Sequence, residues 1–233
     1  MNADMLTSLL TLPYPPIGIA FLDQVPGDLT RIESASPAGC AYWTLAAAGR
    51  MFYTLPEDHF GCPIGAYTHG LELPPASQVE LQSTVSTMLS LNYLRPEEPK
   101  QLPRVSRNFQ AIVYGPLAQM PVAADVAIVI GHAKSLMLLT EAAQSCQLPA
   151  HTVMGRPGCG MIPQVMKTQQ AVTNFGCIGN RVYTRLADHE FYFAFPASRY
   201  NDLVRALQTI VRANDQLEQF HQGRLQAATV SNS

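Results

Sequence analysis

Residues 59–65 read HFGCPIG, and residues 174–180 read NFGCIGN. Both set Phe-Gly-Cys ahead of Ile-Gly, with one proline inserted in the first copy. Working outward, Tyr67-Thr68 follows the first motif and Tyr183-Thr184 follows the second. Upstream of each lies a Gly-Cys that opens a helix, Gly39-Cys40 and Gly158-Cys159, and further upstream an apolar strand, at 16–22 and 125–130. Each half therefore reads strand, connection, Gly-Cys, helix, Phe-Gly-Cys loop. This pattern predicts two pseudo-symmetric halves facing each other about a pseudo-twofold, from an internal duplication. His59 and Asn174 take equivalent places in it, which points to a structural hydrogen bond at each.

The remaining pattern predicts strands and helices in alternation. Leu6, Leu9 and Leu10 suit a short amphipathic helix. PPIGIAFLD (15–23), NFQAIVYGPL (108–117) and ADVAIVIG (124–131) are short apolar runs that read as strands, with a weaker one near 150–154. Helices are predicted at 40–55, at 75–94 with a Ser77/Glu80 capping box, at 133–146, at 161–174 and at 198–221. RVYTRLADHEFYFAFP (181–196) reads as a hairpin turning at Ala187-Asp188. These elements argue for an α/β or α+β class, a layered mixed sheet with flanking helices. A single domain spans 1–233, with halves 1–95 and 108–221 joined by a proline-rich linker at 95–107.

Composition excludes several functions. The 233 residues are 47% hydrophobic and 14% charged, with net charge −2. That is no basic footprint, so nucleic acid is not expected as a partner. Mean hydropathy is +0.04, read here as a well-filled core. No apolar run approaches the roughly 18 residues that span a bilayer, and the N-terminus lacks the basic start of a signal peptide. Five cysteines are an odd count for a disulfide framework. A reducing, cytoplasmic setting follows, where cysteines are thiols, ligands or catalytic groups.

Four of the five cysteines, all but Cys146, directly follow a glycine, although glycine makes up only 15 of the 233 residues. A neighbouring glycine lets backbone approach a sulfur and aim N–H groups at it. Cys40 and Cys159 also open helices, where the dipole favours thiolate. Zinc sites usually pair their ligands two to four residues apart, whereas Cys40, Cys62, Cys159 and Cys177 are singletons. Four loops converging on one point suit a 4Fe–4S cluster, with one cysteine per iron. Cys62-Pro63 also matches the proline that follows a ligand in ferredoxin runs. Ordinary buried thiols and thiol catalysis stand beside this reading.

The stretch GCAYWTLAAAGRMFYTLPEDHFGCPIGAYTHGL (39–71) and the motif FGCIGNR (175–181) resemble the domain of unknown function 169 family, the uncharacterised ArCR proteins. That family's four cysteine motifs match Cys40, Cys62-Pro63-Ile64-Gly65, Cys159 and Gly176-Cys177-Ile178-Gly179-Asn180-Arg181. The likeness covers roughly 15–200. Many members place a carboxylate soon after the third cysteine, and this chain has Cys159-Gly-Met-Ile-Pro-Gln there. The resemblance implies a shared cysteine set and no particular reaction.

Arg181, His69 and Arg156 are candidate cofactor-binding residues. Arg181 and Arg156 flank cysteines and suit an anionic ligand; His69 suits a proton donor or axial ligand. The leading expectation is an iron–sulfur protein in electron transfer or a redox pathway, working with a redox partner protein or a small-molecule ligand. A homo-oligomer that completes the site is left open. The alternatives are a tetrapyrrole or other planar-ligand module, lined by the abundant Met, Tyr and Phe, or an enzyme with Cys62 or Cys177 as nucleophile near His59 and His69. A catalytic residue is otherwise not assigned.

Overall fold

A computed structural model of the chain describes residues 4–32, 38–150 and 152–230. Seven strands form one sheet: β1 (Ile17–Leu22), β2 (Phe52–Thr54), β3 (Ala111–Pro116), β4 (Val126–His132), β5 (Thr152–Met154), β6 (Val172–Asn174) and β7 (Glu190–Pro196). Their spatial order is β2-β3-β1-β4-β7-β6-β5. All neighbours pair antiparallel except β5 and β6, which run parallel at one edge. The helices are α1 (Asp4–Leu10), α2 (Ala41–Ala47), α3 (Pro63–Thr68), α4 (Pro75–Ser90), α5 (Ala133–Ser145), α6 (Met161–Thr168), α7 (Ile178–Thr184) and α8 (Tyr200–Val230). This is the layered mixed α/β architecture that the sequence predicts.

Alternation along the strands sends side chains to two cores. Ile17, Ile19, Phe21, Ile112, Tyr114, Val126 and Ile128 meet Trp43 of α2 and Ile162 and Val165 of α6 on one face. Ala127, Val129, Phe193 and Phe195 meet Leu6 of α1, Leu139 of α5 and Leu203 and Leu207 of α8 on the other. Each fully buried Leu or Ile contributes about 1.5–3 kcal/mol, so both faces are strongly held.

Six of the strands, β2-β3-β1 and β4-β7-β6, mirror each other in order, with β5 added beside β6. Ile17 of β1 pairs with Pro116 of β3, and Val126 of β4 pairs with Pro196 of β7. Phe52 of β2 pairs with Tyr114, and Val172 of β6 pairs with Ala194. The strand ends repeat the same bond: Leu117 N–H donates to Pro16 O at 2.7 Å, and Ala197 N–H donates to Asp125 O at 3.1 Å. Where the two three-strand units meet, Ile17 opposes Ile128 and Ile19 opposes Val126, leaving Gly18 opposite Ala127 at the centre. The twofold relation of strand order and register thus passes through Gly18–Ala127. The proline-rich stretch 95–107 runs inside the first unit, because β3 lies beyond it and pairs with β1 and β2.

Several local predictions are corrected. The helix expected over 40–55 ends at Ala47, because Gly49 turns with φ 91° and the β-prone Phe-Tyr-Thr becomes β2. The helix over 161–174 ends at Thr168, where Gln169 takes φ 55° and frees β6. The hairpin at 181–196 is instead α7, stopped by Arg185 at φ 56°, followed by β7. Ser77 does not cap α4; Pro75 starts the helix after Pro74, and the Ser77 hydroxyl donates to Phe60 O. Asn174 lies level with Thr54 in the sheet, not with His59, because the turn Pro56–His59 is inserted after β2. The last helix, expected to end near 221, runs on to Val230; residues 231–233 lie outside the described residues.

Candidate functional site

The four glycine-flanked cysteines lie on the face covered by α2 and α6. Cys40 is the residue before α2, Cys62 the residue before α3, and Cys177 the residue before α7. Cys159 sits in the 3-10 turn Gly158–Gly160 that leads into α6. Two contacts cross between the palindromic units. α2 packs against α7, and α3 packs against the turn that carries Cys159. A thiol from each unit is thereby brought toward one from the other. Cys146 ends α5 on the opposite face, its Sγ 3.5 Å from Ala143 O, and takes no part.

Burial, with the charge on Cys62 and Cys177 adding to it, pushes the Cys40 thiol up to about 12. Burial holds Cys159 well above the usual thiol range, with Cys62, Cys177 and Cys40 adding to the rise. Cys62 is raised by burial and by Cys177, while nearby N–H groups of Gly39 and Gly65 pull it back; no capping hydrogen bond to Cys62 closes. The thiolate expected from helix N-termini at Cys40 and Cys159 is thus overruled by desolvation. All four thiols are free, with no disulfide among them. Among the described residues, no three His, Cys, Asp or Glu side chains are gathered tightly enough to hold a single metal ion.

Several buried polar atoms have no hydrogen-bond partner. Trp43 Nε1, His59 Nδ1, His69 Nε2, Tyr114 OH, Asn174 Nδ2 and Asn180 Nδ2 make no hydrogen bond. Tyr114 is held far up by burial, with Tyr42, Cys159 and Cys40 adding to it. Trp43 meets Tyr192 edge-on at 5.5 Å, and Phe52 stacks on Tyr114 at 5.5 Å. Buried polar groups are ordinarily paired, so this concentration sets the region apart from a plain core.

His69 is buried beside His59, with ring centroids 5.3 Å apart. Its Nδ1 lies 2.6 Å from Gly65 O. A carbonyl only accepts, so Nδ1 carries the proton and Nε2 presents a bare lone pair. Burial lowers the pKa of both imidazoles, and His69 lowers His59 further.

The two arginines are engaged elsewhere. Arg181 donates to Ala187 O at 2.9 Å and to Glu190 O at 3.0 Å, tying α7 to the start of β7. Arg156 pairs with Glu98 at 2.9 Å and lies over the Tyr93 ring. Hydrogen bonds from Arg156 and Arg95 hold Glu98 down at about 2. Neither guanidinium faces the sulfurs through these contacts.

Sequence reasoning passed over Asn180 and Tyr192. Asn180 stands inside the quoted FGCIGNR motif, three residues after Cys177, as Gly65 stands three after Cys62. That shared offset was the available signal. Tyr192, at 1% exposure, carries no local mark in the sequence.

Residues 5–206 match the profile of the family described as Uncharacterised ArCR, the domain of unknown function 169, and the chain belongs to that family. No curated protein matches the chain. No solved structure matches it. Among the described residues, no helix is long and apolar enough to cross a membrane.

Proposed function

We propose that the protein carries one 4Fe–4S cluster on Cys40, Cys62, Cys159 and Cys177 and serves in electron transfer or another step of a cytoplasmic redox pathway. The single observation behind this reading is that four glycine-flanked cysteines from four separate loops sit where α2 packs against α7 and α3 packs against the turn that carries Cys159. Thiols that are protonated without metal would lose their protons to solvent on ligating a cation, which then supplies the charge that burial denies them. A cluster places irons and sulfides between its ligands, so its four sulfurs stand further apart than those around one ion.

Buried donors without partners support the same reading. Trp43 Nε1–H, Tyr114 O–H and the Asn180 amide can each donate to a sulfur or sulfide. Such bonds tune the potential of iron–sulfur clusters. The raised Cys62 thiol speaks against that residue as the nucleophile, which needs a lowered pKa. The electron partner is a redox protein or a small molecule. Anaerobic incubation with iron and sulfide, followed by electron paramagnetic resonance of the dithionite-reduced protein, tests the reading. A cluster signal supports it; a silent, colourless protein removes it.

A further inference from the structure

The two matching units differ in one connection. In the second, α7 passes to β7 through residues 185–189. In the first, α3 passes to β3 through residues 69–110, which carry α4 and the proline-rich stretch. This excursion leaves and rejoins its own unit beside α3. At its start, the Ser77 hydroxyl of α4 donates to Phe60 O at 3.3 Å, two residues before Cys62. On its return, Arg104 Nε donates to Tyr67 O at 3.0 Å and Val105 N–H donates to Thr68 O at 2.9 Å.

Between those anchors the excursion reaches the second unit. Met88, Leu91 and Tyr93 share a groove with Ile178, the residue after Cys177. Arg156, three residues before Cys159, donates to Glu98 at 2.9 Å and lies 4.8 Å from the centre of the Tyr93 ring. The stretch thus runs from the Cys62 loop, past the start of α7, to the segment before Cys159. Those three cysteines are the partly exposed ones of the four, whereas Cys40 is buried. The helix itself is lightly held. Ser77 is the one buried residue of α4, and an element with so little apolar burial opens locally at low cost. The Arg156 and Glu98 side chains are 39% and 22% exposed, and a solvent-screened pair of this kind holds weakly.

We propose that residues 75–98 are a strap across the mouth of the four-cysteine site, latched by Arg156 between Glu98 and Tyr93. Releasing the latch swings the strap off the sulfurs and opens them to solvent; closing it covers them. The inference goes beyond the cluster reading and rests on where the cysteines lie, not on iron. The latch joins the two units directly, so it couples the cover of the site to the contact between them.

The test uses the full metal-free chain, Arg156→Ala and Glu98→Ala. Hydrogen exchange by mass spectrometry follows the backbone of 78–94. Hydroxyl-radical footprinting follows the exposure of Cys62 and Cys177, independently of their ionisation. Both variants should show several-fold faster exchange over 78–94 and several-fold more modification of Cys62 and Cys177, with Cys146 unchanged. The parent in about 1 M salt, where the screening length falls to about 3 Å, should move the same way. Glu98→Ala acts from the strap, so it decides if Arg156→Ala disturbs the turn that carries Cys159. Unchanged exchange in Glu98→Ala and in salt overturns the latch. Faster exchange with unchanged exposure of Cys62 and Cys177 overturns the cover. If the parent takes up no iron but these shifts occur, the cluster reading fails and the strap stands.

Discussion

Thr54 Oγ1 and His59 Nε2 lie 2.8 Å apart inside the core, joining the end of β2 to the turn Pro56–His59. The pair holds His59 beside His69 as two buried neutral imidazoles. Their folded pKa values are lowered, His59 well below 6.5. The unfolded chain binds protons at these positions near pH 6.5 and the folded chain does not, so stability falls as pH drops below about 6.5. Each histidine adds a slope of up to about 1.4 kcal/mol per pH unit. Urea unfolding midpoints from pH 7.5 to 5.5 should fall, and fall less in His59→Gln. A flat profile contradicts the buried neutral pair.

The thiols predict the opposite limb. Cys40, Cys62 and Cys159 have raised pKa values when folded. Below the ordinary thiol pKa of about 8.5, both states are protonated and nothing changes. Above it, the unfolded thiols ionise while the folded ones do not, and stability is lost as pH rises. Metal-free protein should therefore lose stability above about pH 8.5, and Cys159→Ala should flatten that loss. Equal midpoints at pH 8 and 9.5 would contradict the burial of these thiols.

Arg31 grips Asp58 twice, Nε to Oδ2 at 3.0 Å and Nη2 to Oδ1 at 2.7 Å. The Asp58 side chain is 4% exposed, and it also accepts the Leu55 N–H at 2.7 Å. This ion pair holds the turn that delivers His59 and leads to Cys62. Arg31→Ala strands a buried carboxylate and should lower stability by roughly 2–4 kcal/mol. Chemical denaturation measures it. A loss under about 0.5 kcal/mol, as for a surface pair, would sink this account of the turn.

Much of the fold was legible where one signal acted alone. The apolar run ending in Ile128–Ile130 and the leucines of α8 declared β4 and the last helix. Reading failed where two signals competed. TLAAAG ran straight on into Met-Phe-Tyr, and only the left-handed Gly49 separates α2 from β2. Likewise nothing but Gln169 at φ 55° marks the end of α6. At the site, the glycines beside the cysteines were visible in the sequence. The donors around them were not, because Tyr114 and Tyr192 come from strands distant in sequence and read as ordinary sheet residues.

Gly70 and Gly223 should respond in opposite directions. Gly70 has φ 78°, and a Cβ there would collide with Val105 O. Gly70→Ala must move backbone just past His69, and should destabilise by on the order of 2–4 kcal/mol. Gly223 lies on the exposed end of α8 with nothing within 4 Å. Gly223→Ala should raise helix content and stability by up to about 1 kcal/mol. Thermal unfolding by circular dichroism separates the two, and a neutral Gly70→Ala would refute the close approach.

The central claim is that four cysteines from two matching sheet units hold one cluster. Its most direct test is iron and acid-labile sulfide per chain after anaerobic reconstitution, in the parent and in single Cys→Ser variants. The account predicts about four iron and about four sulfide in the parent and in Cys146→Ser. It predicts marked loss in Cys40→Ser, Cys62→Ser, Cys159→Ser and Cys177→Ser. A parent that binds no iron, or equal iron in all five variants, would contradict it.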